Sequence, residues 1–323
     1  MTTDQPTKLT PENGHISTTD NARLAYRSFM VEPARAVVIH LHGSSYNSRR
    51  YVMLGKVLAS AGVKPYLMDL RGNGDSTGPR GHTDYVGQLE DDLAETVMSV
   101  RQHHPGVPVF LSAHSAGCVV LLRYQAKYGS ADVAGYLFLS PALPGCMETH
   151  RYDIPAVRFL FPFMYWRQVP HFNPVPKAFE KYLYKSYLWR YFLGKLFPFL
   201  RRLTVSHFPA PAQQAAMENR VQDYSYNMSA SLSVRHYQDA FSQIDRPVWL
   251  AIGEKDEVTD PSAVSVIHQW HLARATSKVL HVIPAANHLT VVGKAGALMK
   301  DWISAQLPER SSQLEIPQEA ACS

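Results

Sequence analysis

The stretch Val107–Gln125, VPVFLSAHSAGCVVLLRYQ, holds the reading of the fold. Val107–Ala113 is β-branched, apolar and aromatic, follows the turn His104-Pro105-Gly106, and reads as a short buried strand. Cys118 to Gln125 reads as a helix. Between them lies Ala113-His114-Ser115-Ala116-Gly117, a serine crowded by small residues at a strand-to-helix turn. Backbone approaches backbone closely at such a turn, so small neighbours are needed and the serine is lifted above the sheet edge. This is the logic of the nucleophile elbow G-x-S-x-G, met here as A-H-S-A-G with alanine for the first glycine. Five residues alone fit a solvated serine in a small-residue turn equally well.

The flanking sequence supplies context. Apolar runs at 37–41, 65–70, 107–113, 135–140, 248–253 and 279–283 have the near-continuous character of strands buried on both faces of a parallel sheet. Helical patterns alternate with them at 52–61, 85–103, 117–128, 262–275 and 294–307. In 85–103, Val86, Leu89, Leu93, Val97 and Val100 form one apolar stripe. Residues 15–29 are expected to add one or two antiparallel strands. Alternating strand and helix predicts an α/β fold, a mostly parallel central sheet flanked by helices. The alternation breaks between about 145 and 235, where no clear strand is visible. That segment is expected to be a helical cap, inserted after the strand near 135–140 and roofing the C-terminal sheet edge where ligands bind. The expected organisation is a disordered tail at 1–14, a core at 15–144 and 236–307, a cap at 145–235, and a disordered tail at 308–323.

Composition narrows the class. The chain has 323 residues, 46% hydrophobic and 18% charged, which allows a sizeable globular core. Three widely spaced cysteines, Cys118, Cys146 and Cys322, give neither a disulfide framework nor zinc-type spacing, and suit a reducing compartment. No signal-peptide pattern, myristoylation motif or 18-residue apolar run is visible, so a cytoplasmic protein is expected.

A serine hydroxyl needs a base, an acid that orients the base, and donors for an oxyanion. All must lie in loops at the same sheet edge. Of 15 histidines, His288 directly follows the last strand, whereas His268 and His271 fall in a helix, His281 in a strand, and His103 and His104 at a helix end. Asp256 follows the penultimate strand and is favoured over Glu254, Glu257 and Asp260 by its distance from the strand end. Leu41-His42-Gly43-Ser44-Ser45 follows the first parallel strand, so the backbone N–H groups of Ser44 and Ala116 are the expected oxyanion donors. His40 and His42 could suggest a metal, but no third ligand cluster stands beside them, and neither metal nor cofactor is expected. The order Ser115, Asp256, His288 is that of α/β-hydrolases.

The segment Met68–His82, MDLRGNGDSTGPRGH, carries a more specific pattern, D-x-R-G-x-G-x-S-x-G-x-R-G-H. With His42-Gly43, the elbow, Gly253-x-x-Asp256 and Asn287-His288, the sequence resembles the monoacylglycerol lipase and lysophospholipase group of α/β-hydrolases over residues 20–145 and 240–305. Ala113 and Asn73, where histidine is common, depart from the pattern without removing a group the chemistry needs. The resemblance implies a serine carboxylic-ester hydrolase with Ser115 as nucleophile, His288 as base and Asp256 as its orienter. An acyltransferase or thioesterase would use the same triad. A non-catalytic membrane-associated binding protein has no reason to keep all three groups in register. Haloalkane dehalogenases and epoxide hydrolases carry Asp where Ser115 stands. The glycine-rich loop after Met68 is read as structural, with Arg71 and Arg80 holding loops, and Cys118 as a small buried hydrophobe.

The cap has its own signature. Between Arg151 and His207 lie ten basic residues against Asp153 and Glu180, with 16 of the chain's 35 aromatics. A lid whose aromatics pack on the core accounts for this. So does a lid touching an anionic membrane, with Lys177, Lys181 and Lys185 spaced four apart on one helical face. No nucleic-acid motif is present. The expected partner is a small-molecule ester or lipid. Oligomeric state is not legible.

Overall fold

The structure, a computed structural model, describes residues 10–144, 149, 156–160, 163–167 and 185–308. Its centre is an eight-stranded sheet. The strands are β1 (Pro11–Ser17), β2 (Arg23–Phe29), β3 (Ala36–Leu41), β4 (Val63–Met68), β5 (Val109–His114) and β6 (Gly135–Leu139), with β12 (Val248–Gly253) and β13 (Lys278–Ile283) after an insertion. Their order is β1-β2-β4-β3-β5-β6-β12-β13; β1 and β2 are antiparallel additions and the rest run parallel.

Continuous apolar runs form these strands because both faces are covered. Ile39, Leu111, Phe138 and Leu250 face one side, with Leu89, Leu93 and Val97 of α2 (Gln88–His103) and Val119 and Leu122 of α3 (Gly117–Tyr128). Val38, Phe110, Leu137 and Trp249 face the other, with Leu54 and Leu58 of α1 (Val52–Ala59) and Val292, Ala295 and Met299 of α9 (Val291–Ala305). Successive residues of one strand thus serve opposite cores.

Three expectations need correction. Pro11–Gly14 pair with Tyr26–Phe29 in β1, although PENG reads as part of the expected tail. In this edge strand only Ile16 is buried, so its sequence carries almost no apolar signal. The helix expected at 262–275 is α8 (Pro261–Val266) followed by one wide helical turn at Ile267–His271. The insertion after β6 holds strands as well as helices.

That insertion includes α4 (Leu188–Leu196), α5 (Ala212–Met217), α6 (Tyr226–Ser231) and, leading back to the core, α7 (Tyr237–Ser242). It also carries an antiparallel sheet in the order β11 (Asp223–Ser225), β10 (Thr204–His207), β9 (Lys185–Ser186), β8 (Phe163–Arg167), β7 (Ala156–Leu160). Lys185 is therefore in a strand and not on a helical face. Lys177 and Lys181 lie outside the described residues, as do 1–9 and 309–323.

Candidate active site

Ser115 occupies the step from β5 to α3 with φ +56°, a left-handed value that an L-residue adopts only under constraint. Its N–H donates to the Leu139 carbonyl at 3.0 Å, which pins the elbow to β6. Two glycines make the close approach possible. A Cβ on Gly117 would lie 2.5 Å from the His42 carbonyl oxygen, and one on Gly43 would lie 2.8 Å from the Ser115 Cβ. The elbow and the loop after β3 are thus in backbone contact.

His288, in the loop after β13, places Nε2 2.8 Å from Ser115 Oγ. Its Nδ1 is 2.9 and 3.0 Å from the two Asp256 carboxylate oxygens. Asp256 follows β12 and is fully buried. It also accepts the N–H groups of Val258 and Thr259, both at 2.9 Å. The consistent proton arrangement has Nδ1–H donating to Asp256 and Nε2 accepting from the Ser115 hydroxyl. Burial alone would lower the His288 pKa, but the adjacent Asp256 carboxylate, its hydrogen bond and Glu257 outweigh that and hold it above the ordinary value.

The three rival carboxylates each satisfy a backbone donor instead. Glu257 accepts the His288 N–H at 2.8 Å, Glu254 the Ala285 N–H at 3.0 Å, and Asp260 caps α8 through the Ser262 N–H at 2.9 Å. Burial raises the Glu257 pKa, against the pull of the His288 N–H and charge.

Ser44 and Ser45 occupy the middle of a turn closed by Tyr46 N–H on the Gly43 carbonyl, with Ser45 at φ +70°. Among the described residues, the N–H groups of Ser44 and Ala116 have no hydrogen-bond acceptor. Ala116 follows Ser115 within the elbow, and Ser44 follows Gly43, which packs against Ser115, so the two N–H groups remain the candidates for a developing negative charge. His42, beside them, donates from Nδ1 to the Gly43 carbonyl at 2.7 Å and accepts the Leu70 N–H on Nε2 at 3.0 Å. His40 Nδ1 is bonded to Ser112 Oγ at 2.9 Å. Each of the two is committed within the core, and among the described residues no group of three metal-ligating side chains assembles.

The glycine-rich loop does hold neighbouring segments. Arg71 bonds Asp92 at 2.5 and 2.9 Å and Asp20 at 2.8 and 3.1 Å, and Arg80 bonds the Gly74 carbonyl and Asn219. Asp69 accepts the N–H groups of Ser48 at 2.6 Å and Asp75 at 2.8 Å, tying this loop to the helical turn Ser48–Tyr51 before α1. Cys118 is buried, its thiol donates to the Ala113 carbonyl at 3.3 Å, and burial pushes its pKa up.

Residues that the sequence did not single out brace the site. His114 Nε2 is 2.8 Å from the His288 carbonyl and His114 Nδ1 is 2.9 Å from Tyr51 Oη, which in turn accepts the Gly43 N–H at 3.2 Å. From the insertion, Tyr224 Oη accepts the Ser45 N–H at 2.7 Å and donates to Asn73 Oδ1 at 3.1 Å. Arg220 donates to Ser45 Oγ at 3.1 and 3.2 Å. His114 could have been found, since it adjoins the serine in the elbow. Tyr224 and Arg220 had no such signal.

The sheet, the elbow and the loops converging on it define an α/β-hydrolase. The Hydrolase_4 family, described as serine aminopeptidase, S33, matches residues 32–294, and the chain belongs to that family. Among curated relatives, it is 31% identical over 94 residues to a monoacylglycerol lipase of Mycolicibacterium smegmatis, covering 29% of this chain and 34% of that protein. It is 29% identical over 107 residues to the monoglyceride lipase of Homo sapiens, covering 33% of this chain and 35% of that protein. The matches thus span about a third of those relatives' length. In structure it is similar to a soluble variant of monoglyceride lipase from Saccharomyces cerevisiae, solved with a substrate analog. The TM-score is 0.65 at 17% identity, covering 94% of this chain and 98% of that one. At that identity the likeness is one of fold.

Proposed function

We propose that the protein is a serine carboxylic-ester hydrolase acting on monoacylglycerol- or lysophospholipid-like esters. The hydrogen-bonded line from Asp256 through His288 to Ser115 carries the reading. In this reading His288 Nε2 takes the Ser115 proton as Oγ bonds to the ester carbonyl carbon. The carbonyl oxygen becomes an oxyanion facing the Ser44 and Ala116 N–H groups. Its collapse breaks the bond to the alcohol oxygen, which receives the proton from His288. Water, deprotonated by the same imidazole, then attacks the acyl-enzyme and releases the acid and Ser115. Acyl transfer to an alcohol and thioester hydrolysis use the same steps with another acceptor or leaving group. The lipase-like relatives favour the ester reading.

The insertion supports peripheral contact with an anionic lipid surface. Phe192, Leu196, Phe197 and Phe199 are exposed, Phe199 by 79%, and Lys195 and Arg202 lie exposed among them. Aromatics at headgroup level with flanking cations suit such a surface, each cation contributing about 1 kcal/mol. No helix among the described residues is long and apolar enough to cross a membrane.

The test is a kcat/KM series over p-nitrophenyl esters and monoacylglycerols of increasing chain length, with fluorophosphonate labelling alongside. Labelling at Ser115 and turnover of esters support the reading. Labelling without turnover of any ester, but with cleavage of thioesters or acyl transfer to an added alcohol, replaces it.

A further inference from the structure

The oxyanion turn carries a second feature that triad chemistry does not require. Arg50 and Arg220 both lie against the Tyr46 ring, each guanidinium carbon 4.5 Å from the ring centroid. Tyr46 closes the turn that contains Ser44, so the arrangement begins two residues from an expected oxyanion donor. The two cations come from different parts of the chain, one from the helical turn Ser48–Tyr51 that precedes α1 and one from the insertion. Two like charges on one aromatic ring repel each other, and the ring's π face offsets only part of that.

The partners of each cation are unequal. Arg220 is buried, its side chain 4% exposed, with Ser45 Oγ as its hydrogen-bond acceptor and Glu218 at 4.0 Å. Arg50 is exposed and, among the described residues, has no carboxylate partner, whereas its neighbour Arg49 is paired with Asp75 at 3.2 Å. Arg50 is also close enough to the triad for its charge to disfavour protonation of both His288 and His114. Arg50 is thus solvent-exposed yet seated against Tyr46, two residues from Ser44.

We propose that Arg50, supported by the Tyr46 ring and Arg220, forms a subsite for an anionic group, phosphate or carboxylate, on the alcohol portion of the ester substrate. A planar guanidinium seated against a ring can offer its outer N–H edge for two parallel bonds to such a group. Supplying the negative charge also relieves the repulsion between the two cations. The subsite deepens the ester-hydrolase reading and rests on it: a lysophospholipid with an anionic head is then a better substrate than a neutral monoacylglycerol.

The test compares two soluble esters that share a six-carbon acyl chain, one a monoacylglycerol and one its phosphate-bearing analogue, so that lipid surfaces play no part. The ratio of their kcat/KM values is measured for the parent, Arg50→Gln and Arg50→Lys. The expected ratio favours the anionic ester in the parent and falls about tenfold in Arg50→Gln, with partial retention in Arg50→Lys. Added salt lowers the parent's ratio, since Arg50 is exposed. A parent that hydrolyses the neutral ester with no anionic preference, or an Arg50→Gln enzyme with an unchanged ratio, overturns the subsite while sparing the hydrolase reading. Hydrolysis of neither ester, with fluorophosphonate labelling absent, removes both. Inorganic phosphate separates a head-group site from a free-anion site. Competition against the anionic ester alone fits the former, and Arg50-dependent changes in neutral-ester turnover mark the latter and overturn the substrate claim.

Discussion

His114 Nε2 donates to the backbone carbonyl of His288 at 2.8 Å, so the residue before the nucleophile holds the residue that would activate it. A carbonyl can only accept, which fixes the proton on Nε2. His114 is buried and its pKa is held well below the ordinary value, by burial first and the nearby His288 second, so its ring is neutral and Nδ1 is an acceptor. Tyr51 therefore donates to Nδ1 and accepts from Gly43. One directed chain runs from the oxyanion turn through Tyr51 and His114 to the base loop.

Tyr51→Phe breaks that chain in the middle and strands a buried N–H and a buried ring nitrogen. The expected cost is about 1–3 kcal/mol in stability by denaturant unfolding. Because the chain positions two parts of the site, kcat is expected to fall by roughly tenfold or more with a smaller change in KM. Equal loss of stability with an unchanged kcat would show that the chain serves folding alone.

The pH profile follows from His288. The base must be neutral, and its pKa is held above the ordinary 6.5 by Asp256 against the effect of burial. kcat/KM is therefore expected to rise with pH through a region above 6.5 and then level off. Asp256→Asn removes the charge that raises this pKa. Its acid limb should move to lower pH while the plateau falls by about 10⁴-fold. An acid limb that stays in place in Asp256→Asn would mean another group sets it.

Tyr224→Phe tests whether the insertion shapes the site. The change leaves the Ser45 N–H without the acceptor it has at 2.7 Å and the Asn73 side chain without its donor. Burial pushes the Tyr224 pKa up to about 12, so the phenol stays protonated across the working range. The expected outcome is a loss of about 1–3 kcal/mol in stability and a lower kcat, as the turn bearing Ser44 loosens. A Tyr224→Phe enzyme with parental kcat on short and long esters would separate the insertion from the oxyanion turn.

Much of the core was legible because its signals are local. The β5 run, the small residues at 113–117 and the helix at 117–128 lie within one stretch, and a strand end followed by a loop puts Asp256 and His288 at one edge. The strands of the insertion are two to five residues long, too short to show an alternation, and dense aromatics obscure what there is. Long-range bonds are harder still. Ser45 and Tyr224 meet across 179 positions, and neither residue type nor neighbours announce the pairing. Asn73, a departure from the family pattern, accepts the Tyr224 hydroxyl there while its amide donates to the Arg71 carbonyl.

The nucleophile is the claim on which the rest depends, and Ser115→Ala tests it most directly. The purified variant is expected to fold as the parent does, to lose fluorophosphonate labelling, and to lose about 10³–10⁶ in kcat on a soluble ester. A folded Ser115→Ala protein that still labels and turns over ester at a near-parental rate would contradict it.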